Sequence, residues 1–359
     1  MIVFFILIGM ALLFAEWISL RRPINRIRYR CRPESVCHEP GEVFTLETVV
    51  ENYSGRNFRE LWLQERFPAS MCTNGGRMDQ VPEGERFMTV TSAVDVRRHQ
   101  RLCRRRNVSM SERGHYILPG AVLSCGDFLG LRVKKEEISQ WEELVIYPAR
   151  EEEPELSTVL DGYYGDISVR RFLIEDPVLV NGFHEYTGTE PQRAISWTQS
   201  ARRGSLMVKE YDYTQDLSAT VLLNVHDRDF ARTDIVFLET AFRLTRTVCE
   251  YLEEKRVRYR FFHNAVCAGT EDSDWQFPEL GTHLEQVLEM LGRATYFSAG
   301  TLEKLAERAA RGSAEQQAIY LITSERGEEI SRAEEQLGRE GAKVYVLYAE
   351  DYAGKEERA

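Results

Sequence analysis

Ser200 lies in the stretch Arg193-Ala194-Ile195-Ser196-Trp197-Thr198-Gln199-Ser200-Ala201-Arg202-Arg203-Gly204, a hydroxyl set among guanidiniums and an indole. A serine nucleophile needs a base within hydrogen-bond reach and an acid to orient that base. His184 and His226 are the bases on offer, but no nucleophile elbow surrounds Ser200, and sequence does not place the acid. Gly75-Gly76 and Gly204 lack the Lys-Ser or Lys-Thr that completes a phosphate-cradling loop. The seven cysteines are scattered, with no CxxC pair, and suit neither a zinc knuckle nor a disulfide framework. Cys31, Cys37 and His38 come nearest to a metal cluster, but reduced thiols are the simpler reading. Asp212 and Asp216 need no acid/base role. The expectation is a chain with no catalytic residue, no cofactor and no metal.

A formal net charge of −11 over 359 residues argues against a general nucleic-acid binder, which needs a basic footprint. Two stretches depart from that balance. One carries Arg21, Arg22, Arg26, Arg28 and Arg30; the other carries Arg97, Arg98, Arg101, Arg104, Arg105 and Arg106. For the second, the polar outer face of a strand is the plain reading, with contact to an acidic partner or lipid surface as the rival.

Ile2 to Ala15 reads IVFFILIGMALLFA with no charge, and Trp17, Ile18 and Leu20 extend it past Glu16. About 19 residues at about 1.5 Å each span roughly 28 Å, close to the hydrocarbon thickness of a bilayer. Met1-Ile2-Val3 lacks the basic start of a signal peptide, and arginines rather than apolar partners follow, as they would not for a core helix. The expectation is a transmembrane helix over residues 1–20. The arginines after it place the remainder on the cytoplasmic side of the cell membrane, in a single-pass topology.

From 34 to 150 the chain reads as short alternating strands, among them Glu42–Val50, Leu61–Phe67, Phe87–Thr91 and Glu143–Tyr147, separated by turn signals. That spacing predicts an immunoglobulin-like β-sandwich. Residues 151–181 are expected to link it to a second part, 182–350. There Ala219–Val225 and Ala318–Thr323 are continuous apolar runs, as buried parallel strands are, alternating with helical segments such as Ile235–Lys255. The expected fold class is α+β multidomain, with the helix, the sandwich and a parallel-sheet α/β domain in that order.

Three stretches together resemble the bacterial family called domain of unknown function 58, whose second half looks like a von Willebrand factor A domain. The first is Glu112–Gly120 with Gly126–Leu131. The second runs from Gly182 to Tyr211 and keeps the family's Tyr186, Gly188, Arg193, Ile195, Trp197, Ser200, Ala201, Arg202, Val208 and Glu210. Thr189 stands where the family has an acid, and His184 where it has an arginine. The third is the loop after Val221–Leu223, where the family type binds Mg²⁺ through an Asp and two serines. Here Asn224 replaces the carboxylate, His226 the first serine, and Arg228 brings a positive charge to the second, so the resemblance implies a degenerate metal loop.

Arg193, Trp197 and Arg202 form either a ligand-reading surface or a structural junction, with the guanidiniums bound to Glu185 or Glu210; the junction is the favoured expectation. The resemblance implies a non-enzymatic, membrane-anchored interaction protein working with an AAA+ ATPase of MoxR type. A metal-dependent adhesion module and an unrecognised hydrolase are the alternatives.

Overall fold

In the computed structural model the described residues are 4, 7, 9–10, 14, 24–73, 80–83, 87–126, 132–151, 154–171, 180–211, 218–225, 232–269, 283–311, 318–324, 326–338 and 342–353. The chain divides into two units, Met1–Ala149 with Leu288–Ala294, and Arg150–Val287 with Thr295–Ala359.

The expected N-terminal transmembrane helix is corrected. Among the described residues no helix is long and apolar enough to cross a membrane. Within Ile2–Leu20, Phe4, Leu7, Met10 and Phe14 are helical and more than half exposed, and most of the segment lies outside the described residues. The single-pass topology built on that helix goes with it.

The first unit holds β1 (Ile27–Pro33), β2 (Cys37–His38), β3 (Val43–Asn52), β4 (Phe58–Pro68), β5 (Cys72–Thr73), β6 (Gln80–Glu83), β7 (Phe87–Val96), β8 (Arg101–Ser109), β9 (Gly114–Gly126) and β10 (Val133–Ile146). They form a four-stranded sheet, β1-β3-β8-β5, and a six-stranded sheet, β2-β10-β9-β4-β7-β6. An immunoglobulin domain of constant type has four strands and three. The longer second sheet departs from that pattern, and so does its parallel β2–β10 pair. Alternation along each strand sends Ile27, Phe44, Leu46, Leu63, Leu123 and Ile146 into one apolar core.

Two features of this unit bear on function. The first is Glu65, fully buried on β4. Tyr29 and Thr48 donate to its Oε1 at 3.1 and 3.0 Å, while Arg104 and Arg106 reach its Oε2 at 2.9 and 2.6 Å. The basic stretch is therefore not simply a solvated face. Arg101, Cys103 and Arg105 point outward, while Arg104 and Arg106 turn in to neutralise a carboxylate. Burial beside that charge raises the Tyr29 hydroxyl well above its ordinary value and pushes the Cys31 thiol up to about 11.

The second is the free edge of β1. Gln140 lies where the β9–β10 register shifts, and its side-chain amide accepts from the Cys31 N–H at 2.9 Å and donates to the Cys31 carbonyl. Gly120 faces that bulge with φ +100, and a Cβ there would sit 2.0 Å from the Ile138 carbonyl oxygen, so no other residue fits.

The second unit holds α1 (Pro154–Arg171), β11 (Val180–Glu185), α2 (Trp197–Arg203), β12 (Met207–Tyr211), β13 (Ser218–Asn224), α3 (Arg232–Glu254), β14 (Arg258–His263), β15 (Ala265–Cys267), α4 (Leu284–Arg293, whose last turns belong to the first unit), β16 (Ala294–Ser298), α5 (Leu302–Ala310), β17 (Ala318–Thr323), α6 (Glu328–Gly338), β18 (Lys343–Tyr348) and α7 (Ala349–Tyr352). β14-β13-β17-β18 is a parallel sheet, with β11–β12 and β15–β16 as separate pairs. Leu222, Phe262, Ile319 and Leu321 pack against α5 and α6 on one face. α3, lined by buried Leu238, Ala241, Phe242, Val248 and Leu252, runs against β13, β14 and β17. Burial on both faces explains why these strands read as unbroken apolar runs.

Residues 151–181, expected to be a linker, contain α1. Its Leu156 and Leu160 are buried, and Tyr163 stacks on Tyr345 with ring centroids 4.0 Å apart. Tyr251 donates to Asp161 at 2.7 Å, and Lys255 pairs with it at 3.2 Å. This helix is part of the second unit's packing.

Replacing Glu65 leaves two partly buried guanidiniums uncompensated, which typically costs about 3–5 kcal/mol. We expect Glu65→Ala to accelerate hydrogen exchange of the β3 and β8 amides by a matching amount. Glu47→Ala, on the exposed face of β3, should leave those exchange rates close to the parent's. Equal effects of the two substitutions would contradict this account of the cluster.

Candidate interaction site

The stretch from Gly182 to Tyr211 builds a small substructure of its own. β11 and β12 pair antiparallel, an isolated bridge joins Ile195 to Val208, and Tyr186 covers a cluster of Ala194, Ile195 and Val208. The chain turns after Tyr186 through Gly188, at φ +96. That turn is tied by Glu190, which accepts from the Thr187 hydroxyl at 2.7 Å and the Thr187 N–H at 3.1 Å, with His184 Nε2 at 3.3 Å. The Thr187 hydroxyl, chiefly, holds the Glu190 carboxyl down to about 2. The acid of this turn therefore stands one residue after Thr189.

Ser200 is buried in α2, and both sides of its hydroxyl are in use. It donates to the Ser196 carbonyl at 2.8 Å and accepts from the Met207 N–H at 2.8 Å. His184 is exposed and faces Glu190, not Ser200. Ser200 therefore fastens α2 to β12, and the geometry offers no base to it. Gly204, at φ +76, ends the helix by donating its N–H to the Ser200 carbonyl.

With Ser200 inward, the opposite side of α2 faces solvent. At about 100° per residue, Trp197, Ala201, Thr198 and Arg202 fall within an arc of about 140°. All four are exposed, Trp197 at 69%. Arg193, in the short 3-10 turn before the helix, is exposed too. Of the two acids expected to hold the guanidiniums in a structural junction, Glu185 is engaged elsewhere. Glu185 accepts from the Ser205 hydroxyl at 3.1 Å, and among the described residues neither Arg193 nor Arg202 makes an ion pair. The side chain of Glu210 lies outside the described residues, although its backbone is in β12.

The other candidate region is the carboxyl edge of the parallel sheet. Strand order reverses between β13 and β17, and Asn224 and Thr323 end these strands as register partners. Asn224 Nδ2 donates to Thr323 Oγ1 at 3.3 Å, and Asn224 Oδ1 accepts from Asn264 Nδ2 at 2.8 Å. Asn264 also accepts from the Val225 N–H at 2.6 Å and reaches the carbonyls of Val225 and Gly300 at 3.0 and 3.1 Å. The oxygen expected to stand in for a metal-binding carboxylate is occupied by an amide. His226 and Arg228, the rest of the degenerate loop, lie outside the described residues. Among the described residues no three His, Cys, Asp or Glu side chains gather as metal ligands. His263, next to Asn264, is buried and its pKa falls to about 4, so it is neutral near pH 7. Arg326, near this edge, pairs with Glu350 and with Asp351 at 2.7 Å, and lies over the Tyr348 ring.

Sequence reading missed Asn264, which follows a strand and carries no motif, and Glu190, whose role in the turn shows only in its bonds to Thr187.

No family model matches the chain, and no curated protein matches it. The resemblance described above therefore rests on the quoted residues alone. Among solved structures, the alkylpurine DNA glycosylase AlkC of Pseudomonas fluorescens, bound to abasic-site DNA, aligns at 12% identity and TM-score 0.20, over 34% of this chain and 30% of that one. The β-glucosidase EmGH1 of Erythrobacter marinus aligns at 9% identity and TM-score 0.19, over 33% and 15%. The alignments thus span less than a third of either protein's own length, and scores this low carry no argument about fold or function.

A depressed carboxyl favours the folded turn above its ordinary pKa, and that contribution is lost as pH falls through the folded value. For Glu190 the window runs from 4.5 down to about 2. Carbon-detected NMR titration should find Glu190 the most acid-shifted glutamate of this segment, and Thr187→Val should return it toward 4.5. A Glu190 titration unmoved by that substitution would remove the Thr187 hydroxyl as its cause.

Proposed function

We propose that the chain is a non-enzymatic protein-interaction protein and that the exposed face of α2 is its contact surface. One observation carries the reading: Trp197 is 69% exposed on a helix whose buried side is locked by Ser200. Trp and Arg dominate the few residues that supply most binding energy at protein interfaces. Trp197 and Arg202 share the exposed arc of this fastened helix, with Arg193 exposed in the turn before it, and the fastening limits the entropy lost on binding. The resemblance over Gly182–Tyr211 suggests an AAA+ ATPase of MoxR type as the partner, and the positive surface calls for acidic side chains on it.

The polar groups that enzymatic or metal chemistry would need favour the same reading. Ser200 is bonded on both sides, and Asn224 is held by Asn264 and Thr323.

The test is calorimetry of the purified full chain against a purified MoxR-type ATPase from the same genome, with and without nucleotide. Binding should weaken by about 30-fold, roughly 2 kcal/mol, in Trp197→Ala. Arg332→Ala, on the exposed side of α6, should bind like the parent. No heat in either nucleotide state, or equal affinity in all three proteins, would refute the assignment.

A further inference from the structure

The outer face of the four-stranded sheet carries a groove of about 470 Å³, independent of the α2 surface. Its wall is built by alternation. β1 turns Ile27, Tyr29 and Cys31 inward and Arg28, Arg30 and Arg32 outward. Register sets these opposite Glu51, Val49 and Glu47 of β3, and β3 in turn lies beside Arg101, Cys103 and Arg105 of β8. Glu136 and Ile138 of β10 complete the lining.

Which of these charges are available decides what the groove can hold. Glu51 is paired with Arg101 at 3.5 Å, and Glu47 with Arg105 at 3.2 Å. Arg32 is taken by Glu142 at 2.9 Å. Arg28 lies over the Tyr53 ring, 4.9 Å from its centroid, which steadies the guanidinium without cancelling its charge. Arg30 has no ion pair among the described residues. Two neighbouring guanidiniums on one strand face, about 7 Å apart, thus make no ion pair among the described residues.

We propose that this groove binds a phosphomonoester. A phosphate monoester carries close to two negative charges at neutral pH and offers three acceptor oxygens, so one group can satisfy both forks. A carboxylate brings a single charge and two oxygens. Glu136, also lining the groove, accepts hydrogen bonds and disfavours a second anion, so the remainder of the ligand carries donors such as hydroxyls. The volume is that of a small-molecule site. Both a soluble sugar or polyol phosphate and a lipid headgroup of the phosphatidic acid kind have this chemistry.

Calorimetry of the full chain with glycerol 3-phosphate, and co-sedimentation with phosphatidylcholine vesicles containing phosphatidic acid, distinguish the two sources. Arg28→Ala and Arg30→Ala should each weaken the bound probe by about tenfold, equivalent to about 1.4 kcal/mol. Arg30→Lys, which keeps the charge but not the fork, should fall between them and the parent. Arg332→Ala serves as the control for a lost surface charge and should change nothing. Binding of glycerol 3-phosphate that depends on Arg28 and Arg30 supports a soluble ester. Vesicle binding alone, with the same dependence, supports a headgroup. No binding of either probe, or binding indifferent to both arginines, overturns the proposal.

Discussion

A carboxylate placed inside an apolar sandwich is tolerated only when opposite charge follows it there, and Glu65 imposes that condition on the first unit. Arg104 and Arg106 meet it from β8, with Tyr29 and Thr48 filling the remaining acceptor positions. Because a strand alternates, turning those two arginines inward fixes the outward direction of Arg101 and Arg105. Tyr29, held inward by the same carboxylate, fixes Arg28 and Arg30 as outward on β1. The charge inside the sandwich and the charge on its surface are therefore consequences of one register.

The second unit shows the opposite use of polar groups. Its residues with the best claim to chemistry are committed to holding the backbone. Ser200 joins a helix to a strand, Asn224 and Asn264 close the carboxyl edge of the parallel sheet, and Glu190 ties the turn at Gly188. What this commitment leaves outward is Trp197 and its neighbouring arginines. The hydroxyl that fastens the helix from beneath thus leaves the opposite side of it exposed.

Legibility from sequence followed the periodicity of each element. The two-residue rhythm of Val43–Asn52 and the apolar runs of β13 and β17 announced strands, because burial on one face or on two leaves different patterns. The first twenty residues were read on hydropathy and flanking charge, and the expected spanning helix did not survive. α1 was missed although Leu156, Leu160, Tyr163 and Tyr164 follow a helical period; Gly162 and Gly165 within it lower its helix propensity. The direction of Arg104 and Arg106 could not be read, since only the position of Glu65 on a different strand reveals it. The same holds for Asn264, whose role depends on a neighbour forty residues away.

The amide of Gln140 on β1 has a consequence for how copies of this chain meet. An edge strand with open N–H and C=O groups invites a strand from another molecule, and sheets can extend from chain to chain in that way. At Cys31 that opening is already filled, by a side chain from the same molecule that imitates a neighbouring strand on both its donor and its acceptor. The sheet is thereby terminated from within, and this edge is guarded against the growth of ordered aggregates by a single glutamine and the glycine that makes room for its bulge.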